Sequence, residues 1–256
     1  NASASSIKEA LSTNLKGANT EVKTYGAANE YKITTTYMIN SKEEGIDTLV
    51  RGAVINSLAA FNVKEANIMS SNKVGPTIAK DITVRSTWAI ALAIIGMFLY
   101  ILVRFRNLGF SLGATVALFH DVLIVFSLYS ILWKIMPFEL SIDQSFIAAI
   151  LTVVGYSIND TVVVFDRVRE FIGLNKREDD MGPVINNAIN TTLSRTLITS
   201  LTTILVVAIL FAFGGEGLKG FTFALLVGIG VGTYSSICIA TPIVLDMLKL
   251  QKKKKG

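Results

Sequence analysis

Residues 141–165 read SIDQSFIAAILTVVGYSINDTVVVF, an apolar run whose only charges are Asp143 near its start and Asp160 toward its end. Crossing the hydrocarbon of a bilayer takes about 20 apolar residues in a helix, so this stretch predicts a membrane span. Outward from it, four more runs meet the same test: 87–103 and 108–133 before it, 196–213 and 218–248 after it. The last is long enough to tilt or to continue beyond the bilayer. The fold class that follows is an α-helical polytopic membrane protein with five spans, preceded by a more polar N-terminal segment.

The averages conceal this division. The chain has 256 residues, 51% hydrophobic and 17% charged, with 24 Lys plus Arg against 19 Asp plus Glu and a net charge of +5. Residues 1–86 hold 10 basic and 8 acidic side chains; the other 170 hold 14 and 11, nearly all of them between the apolar runs. We read 1–73 as a soluble domain, 74–86 as a linker, 87–248 as the transmembrane domain and 249–256 as a basic tail. The basic residues are too scattered for a nucleic-acid footprint, which needs Lys and Arg gathered on one face. With one cysteine, Cys238, and one histidine, His120, neither a disulfide framework nor a Cys/His metal site can be assembled. No cofactor and no enzymatic centre are expected, because the soluble segment has neither a glycine-rich phosphate loop nor a nucleophile beside a base.

Within that segment, 4–15 places Ile7, Ala10, Leu11 and Leu15 at helical spacing, and 43–61 repeats the pattern with Ile46, Leu49, Val50, Ala53, Val54, Leu58 and Phe61. Between them, 21–25 and 30–39 flank Gly26. The second alternates Tyr31, Ile33, Thr35, Tyr37 and Ile39 with Lys32, Thr34, Thr36 and Met38, the period of a half-buried strand. A last strand is placed at 66–71. Helix, strand, strand, helix, strand is the split β-α-β-β-α-β order without its first strand, a ferredoxin-like α+β domain entered part-way.

The connections between spans alternate in charge. Arg104 and Arg106, then Arg167, Arg169, Lys176 and Arg177, then Lys249 and Lys252 to Lys255 fall on one side, eleven basic residues against Lys134 and Lys219 on the other. Cytoplasmic loops carry the excess of Lys and Arg, so the N-terminal domain is expected outside and the C-terminus inside, with Trp88 and Trp133 at the outer interface. An odd number of spans behind an external domain, with no initiator Met and no secretory signal, implies a preceding span. Gly228, Gly230 and Gly232 crowd the last run, and Gly228 with Gly232 makes a small-xxx-small pair suited to close helix packing.

Ionisable residues inside spans cost about 3 kcal/mol each at the helix centre, and they are functional candidates by default. Four occur: His120, Asp121, Asp160 and Arg195. Asp160 follows Asn159 and shares a helix face with Ser157, Thr161 and Val164 at spacings of three and four. Arg195 opens the fourth run beside Ser194, Thr196, Thr199, Ser200, Thr202 and Thr203. Asp160 lies 18 residues after Ile142, and Arg195 lies 18 before Phe213, which puts both ~27 Å from the same side in antiparallel neighbours. They are expected to meet.

A carboxyl that moves toward and away from a guanidinium takes up and releases a proton, because dry surroundings disfavour its charge and the permanent cation favours it. Asp160 and Arg195 are therefore read as a proton-coupled switch; the competing reading is a static ion pair that fixes helix register. Asp121 is a further candidate. His120 is either a supporting member or a packing residue bonded to its acidic neighbour, and Ser157, Asn159 and Thr161 are the other supporting candidates. Asp166, Arg167, Arg169 and Glu170 read as a solvated helix end, and 184–194 as a polar-faced interfacial helix.

These residues carry a resemblance. Val74-Gly75-Pro76, the Ala117–Val122 segment with its His-Asp pair, the Gly155–Glu170 run, the hydroxyl-rich 194–203 segment and Ala240-Thr241-Pro242 are similar to the SecF family, including the SecF half of fused SecDF proteins. The likeness covers nearly the whole chain. It implies a bundle related to the resistance-nodulation-division (RND) exporters, with six spans, of which five are present, and one periplasmic domain in this half.

It also implies a multi-pass protein of the bacterial inner membrane that assists preprotein export. The partners would be SecD, separate or fused, the SecYEG translocon, the translocating preprotein and the bilayer. The coupling ion would be H⁺ or Na⁺, with Asp160, Arg195 and Asp121 at the matching positions. Two rival readings remain: an RND-type proton-coupled exporter of small molecules or lipids, and a passive scaffold subunit.

Overall fold

The computed structural model describes residues 3–25, 29–41, 45–71, 76–175 and 180–253. Gly26, Glu43, Val74, Gly75, Lys176, Arg177, Lys254 and Lys255, all used above, lie outside them. Two units are present, Asn1–Arg85 with Met136–Glu139 and Ser86–Ile135 with Leu140–Gly256.

In the first unit, Ser3 opens α1 (Ala4–Asn14), its hydroxyl accepting the Ser6 amide at 3.2 Å and so satisfying one free N–H of the first turn. The predicted stripe is the one that buries: Ile7, Leu11 and Leu15 form a cluster with Leu58, and Ala10, Val22, Ile33, Tyr37 and Phe61 pack on it. β1 (Thr20–Thr24) pairs antiparallel with β2 (Tyr31–Thr35), Val22 opposite Ile33. Tyr31, Ile33 and Thr35 are half-buried while Lys32 and Thr34 are exposed, the alternation read from the sequence. α2 (Ile46–Ser57) follows Gly45, whose φ of 83° suits a residue without a Cβ.

Two expectations fail in this unit. β2 ends at Thr35 rather than Ile39, because Thr36–Ile39 close a turn: the Ile39 amide donates to the Thr36 carbonyl at 3.2 Å, and Met38 takes φ 53°. The closing strand placed at 66–71 is absent among the described residues. Glu65–Asn67 is a short 3₁₀ turn held by the Lys64 amide donating to Asn67 Oδ1 at 2.8 Å. Beyond it Ile68 is half-buried and Met69 is 87% exposed, and no strand pairs with them among the described residues. The helix-strand-strand-helix part of the ferredoxin-like order is present.

The second unit is a helical bundle. α3 (Pro76–Phe105), which belongs to this unit from Ser86 on, α4 (Leu108–Leu132), α5 (Gln144–Leu174) and α6 (Met181–Phe213) are followed by α7 (Glu216–Ser235), which runs through a π turn, Ser236–Ala240, into α8 (Thr241–Lys253). Together they supply five helices long and apolar enough to cross a membrane: Lys80–Phe105, Leu108–Leu132, Gln144–Leu174, Met181–Phe213 and Glu216–Lys253. Polar caps set their starts. Asn107 accepts the Gly109 amide at 2.8 Å, Asp143 the Phe146 amide at 3.0 Å and Asp180 the Gly182 amide at 3.0 Å.

The interfacial helix expected at 184–194 is not a separate element. It is the first part of α6, and its buried residues Val184, Ala188, Thr192, Thr196 and Ser200 recur every four residues straight into the span. Nothing in that stretch breaks the helix, since Pro183 falls in its first turn, where no amide partner is lost.

α7 is the central helix, packed against α4, α5 and α6, while α8 packs on α4. Leu197, Leu201, Leu205, Val206, Ile209 and Phe213 of α6 point outward, the kind of surface that lipid or another membrane chain covers. At one end of the bundle, Phe105 stacks on Phe110 at 5.1 Å and Phe165 meets both edge-on at 5.8 and 5.0 Å. Asp166 bridges Arg104 at 2.8 Å and Arg169 at 3.1 Å above these rings, so the end read as merely solvated contains an ion triad.

The glycines of α7 mark its closest contact. A Cβ built on Gly228 lies 2.2 Å from Val153 Cγ2 of α5, and one on Gly232 lies 3.0 Å from Ser157 Cβ. Gly228→Ala is expected to destabilise the bundle by about 1–3 kcal/mol through overpacking. Because the obstacle is a side chain, Val153→Ala in the same protein should restore most of that loss. Thermal unfolding of the detergent-solubilised single and double variants checks this, and a double variant no better than the single would contradict the contact.

Candidate functional site

The bundle centre holds two carboxylates that are almost wholly buried, Asp121 at 1% exposure and Asp160 at 3%. A buried charge needs donors, and here each carboxylate receives hydroxyls from neighbouring helices. Asp121 of α4 accepts from Ser157 Oγ of α5 at 2.7 Å and from Ser235 Oγ of α7 at 2.8 Å, both at Oδ2. Its Oδ1 lies 3.1 Å from His120 Nδ1. Asp160 of α5 accepts at Oδ2 from Ser200 Oγ of α6 at 3.0 Å and Thr233 Oγ1 of α7 at 3.4 Å. Between the two, Thr161 Oγ1 and Ser236 Oγ are 2.8 Å apart.

The face predicted for α5 is the buried one: Ser157, Asp160, Thr161 and Val164 all lie inside. Ser157 bonds Asp121, and Thr161 joins the hydroxyl layer. His120 is a direct neighbour of the Asp121 carboxylate, with about a third of its side chain exposed. Asn159 points outward.

Arg195 is not brought to Asp160. No ion pair within 4 Å joins them, and Arg195 lies on the exposed face of α6. The depth estimate took the ends of the two runs as level. In the structure, Asp160 is opposite Ser200, five residues farther along α6, which is about 7.5 Å along the axis and about 140° around it. The expected static ion pair is therefore absent as well.

Sequence reading passed over Thr233, Ser235 and Ser236. Singly, a Ser or Thr in a span is commonplace because its hydroxyl bonds its own helix. The available signal was their density, since Gly232-Thr233-Tyr234-Ser235-Ser236 has four small residues in five at mid-span, three of them with hydroxyls. Such a layer can hold a carboxylate in either charge state by rotating hydroxyls. Among the described residues no group of three or more His, Cys, Asp or Glu is placed to hold a metal ion.

Known proteins share this architecture. The family described as protein export membrane protein SecD/SecF, C-terminal, matches residues 53–250. The chain is 49% identical over 245 residues to the protein translocase subunit SecF of Rhodothermus marinus, covering 95% of this chain and 76% of that one. It is 44% identical over 208 residues to the SecF of Thermodesulfovibrio yellowstonii, covering 81% and 66%. A crystal structure of SecDF, a translocon-associated membrane protein from Thermus thermophilus, superposes with a TM-score of 0.74 at 32% identity, over 97% of this chain and 32% of that one. The chain thus spans two thirds to three quarters of these two SecF relatives and about a third of SecDF. With its five membrane-length helices and these matches in agreement, the chain belongs to the SecD/SecF family of protein export membrane proteins, on the SecF side.

Proposed function

We propose that this chain is the SecF part of an export factor that uses the proton or sodium motive force to drive late translocation and release of preproteins. In this reading it sits in the bacterial inner membrane with its N-terminal domain periplasmic and its C-terminus cytoplasmic. It works with SecD beside the SecYEG translocon. The observation that carries the proposal is Asp160, buried at mid-bundle with only hydroxyl partners among the described residues. A carboxylate so placed has no fixed counter-charge, and a proton or a small cation can supply one.

Arg195 supports the reading in a different way from an ion pair. It is an exposed cation in the hydroxyl-rich part of α6, near Thr199, whose hydroxyl donates to the Arg195 carbonyl at 3.1 Å. An intramembrane cation needs cover, and SecD, the other half of the assembly, would provide it. One elementary charge crossing the membrane supplies about 2.3 kcal/mol per 100 mV, enough to bias a two-state element.

The test uses the full-length protein assembled with SecD and the translocon in proteoliposomes, following completion of a half-translocated preprotein. Imposing a proton or a sodium gradient separately should accelerate completion with one of the two ions. Completion at the same rate with neither, one or both gradients, with the assembly intact, would reduce the polar layer to a static core.

A further inference from the structure

We propose that α7 ties the two buried carboxylates together, with Thr233 and Ser235 as the positioning residues that make Asp160 and Asp121 change state in one movement. This rests on the reading of Asp160 given above. The residues from 232 to 236 meet the whole polar layer: Gly232 lies against Ser157 and Asp121, Thr233 reaches Asp160 and Ser200, Ser235 reaches Asp121, and Ser236 reaches Thr161. Thr233 and Ser235 are two positions apart, about 200° around a helix, so one helix serves both carboxylates from opposite sides. Turning it about its axis withdraws both hydroxyls at once.

Each hydroxyl has somewhere else to go. Thr233 Oγ1 is 2.9 Å from the Ile229 carbonyl, and Ser235 Oγ is 3.1 Å from the Gly232 carbonyl. A hydroxyl has one hydrogen, given at any moment to one acceptor: for Ser235 the carboxylate or its own helix, for Thr233 the carboxylate, its own helix or Ser200 Oγ at 2.7 Å. The exchange leaves no buried donor unsatisfied; its cost falls on the carboxylate, which loses a donor that a proton or a small cation must replace. The turn that follows departs from the α-helix. A π turn at Ser236–Ala240 holds one residue more than an α turn, and the Thr241 hydroxyl caps the Ser236 carbonyl at 2.9 Å just before Pro242, which has no amide hydrogen to give.

The groups facing each carboxylate are few among the described residues. Around Asp121 they are His120 of its own helix, Ser157 of α5 and Ser235 of α7; around Asp160 they are Ser200 of α6 and Thr233 of α7. No other charged side chain pairs with either. The hydroxyls are therefore the means by which a helix movement reaches the carboxylates.

The experiment measures gradient-driven preprotein completion against pH and against Na⁺ concentration, using the full-length protein with SecD in membrane vesicles. Thr233→Val and Ser235→Ala are compared singly and together, beside Thr233→Ser and Ser235→Thr. Each hydroxyl loss should move the midpoint of the activity profile by about one pH unit or tenfold in Na⁺, the hydroxyl-keeping variants should restore it, and the double variant should differ from the sum of the singles. Additive shifts would overturn the coupling. A lowered maximal rate with an unmoved midpoint would also overturn it, leaving a structural role.

Should Thr233→Val not assemble, Ser200→Ala removes the other hydroxyl from Asp160 and enters the same cycle against Ser235→Ala. Asp160→Asn is run in parallel. If that variant keeps its gradient response the functional reading itself fails, whereas an inactive Asp160→Asn beside additive hydroxyl variants removes only the coupling.

Discussion

Asp160→Asn should abolish the gradient-driven part of preprotein completion while leaving the protein folded and bound to SecD. The substitution keeps shape and hydrogen bonding, because the amide oxygen accepts from Ser200 and Thr233 as Oδ2 does now. What it removes is the titratable charge. A single charge moving through 100 mV is worth about 2.3 kcal/mol, a bias of roughly 50-fold between two states, and that bias disappears with the carboxyl. Completion measured with and without an imposed gradient, alongside SecD co-purification, reads the result directly. A variant that assembles normally and still responds to the gradient would exclude Asp160 as the coupling group.

The second large effect is structural. Gly113 of α4 faces the π turn so closely that a Cβ there would lie 2.6 Å from the Ala240 carbonyl oxygen and 3.1 Å from Val244 Cγ2. At Gly228 the obstacle is a side chain that can be trimmed; at Gly113 it is backbone. Gly113→Ala is expected to cost about 1–3 kcal/mol, and Gly113→Leu to prevent α4 from seating at all. Val244→Ala should rescue neither. Yield of SecD-bound protein and its unfolding temperature report the outcome, and normal assembly of Gly113→Leu would show that α4 and the π turn separate freely.

The spans were legible because hydrocarbon imposes one simple demand, a helix of sufficient apolar length, and the runs around Ala149, Val125 and Leu205 meet it without ambiguity. Asp121 and Asp160 were equally visible, since a carboxylate in such a run stands out from its neighbours. The helix face shared by Ser157, Asp160 and Thr161 followed from spacing alone. The partner of Asp160 did not, because which residues of α6 stand opposite α5 depends on the stagger of two helices, and run ends do not specify stagger to within a turn. Thr233 and Ser235 escaped for a related reason: their meaning comes from being on both sides of a helix packed against α4, α5 and α6 at once. In the first unit, the strand placed at 66–71 did not form, because a strand needs a neighbour and a face to bury, and Met69 is exposed.

The length of α6 has a mechanical consequence. Its 33 residues reach about 50 Å, against about 30 Å of hydrocarbon, in one uninterrupted rod. Ser200, the residue that touches Asp160, divides it into arms of about 20 Å toward Phe213 and about 29 Å toward Met181. With Ser200 as fulcrum, a tilt of roughly 10° carries the Met181 end through about 5 Å, nearly the pitch of a helical turn. A displacement too small to notice beside the carboxylate would thus become, at the far tip of the same rod, a stroke of about one helical turn.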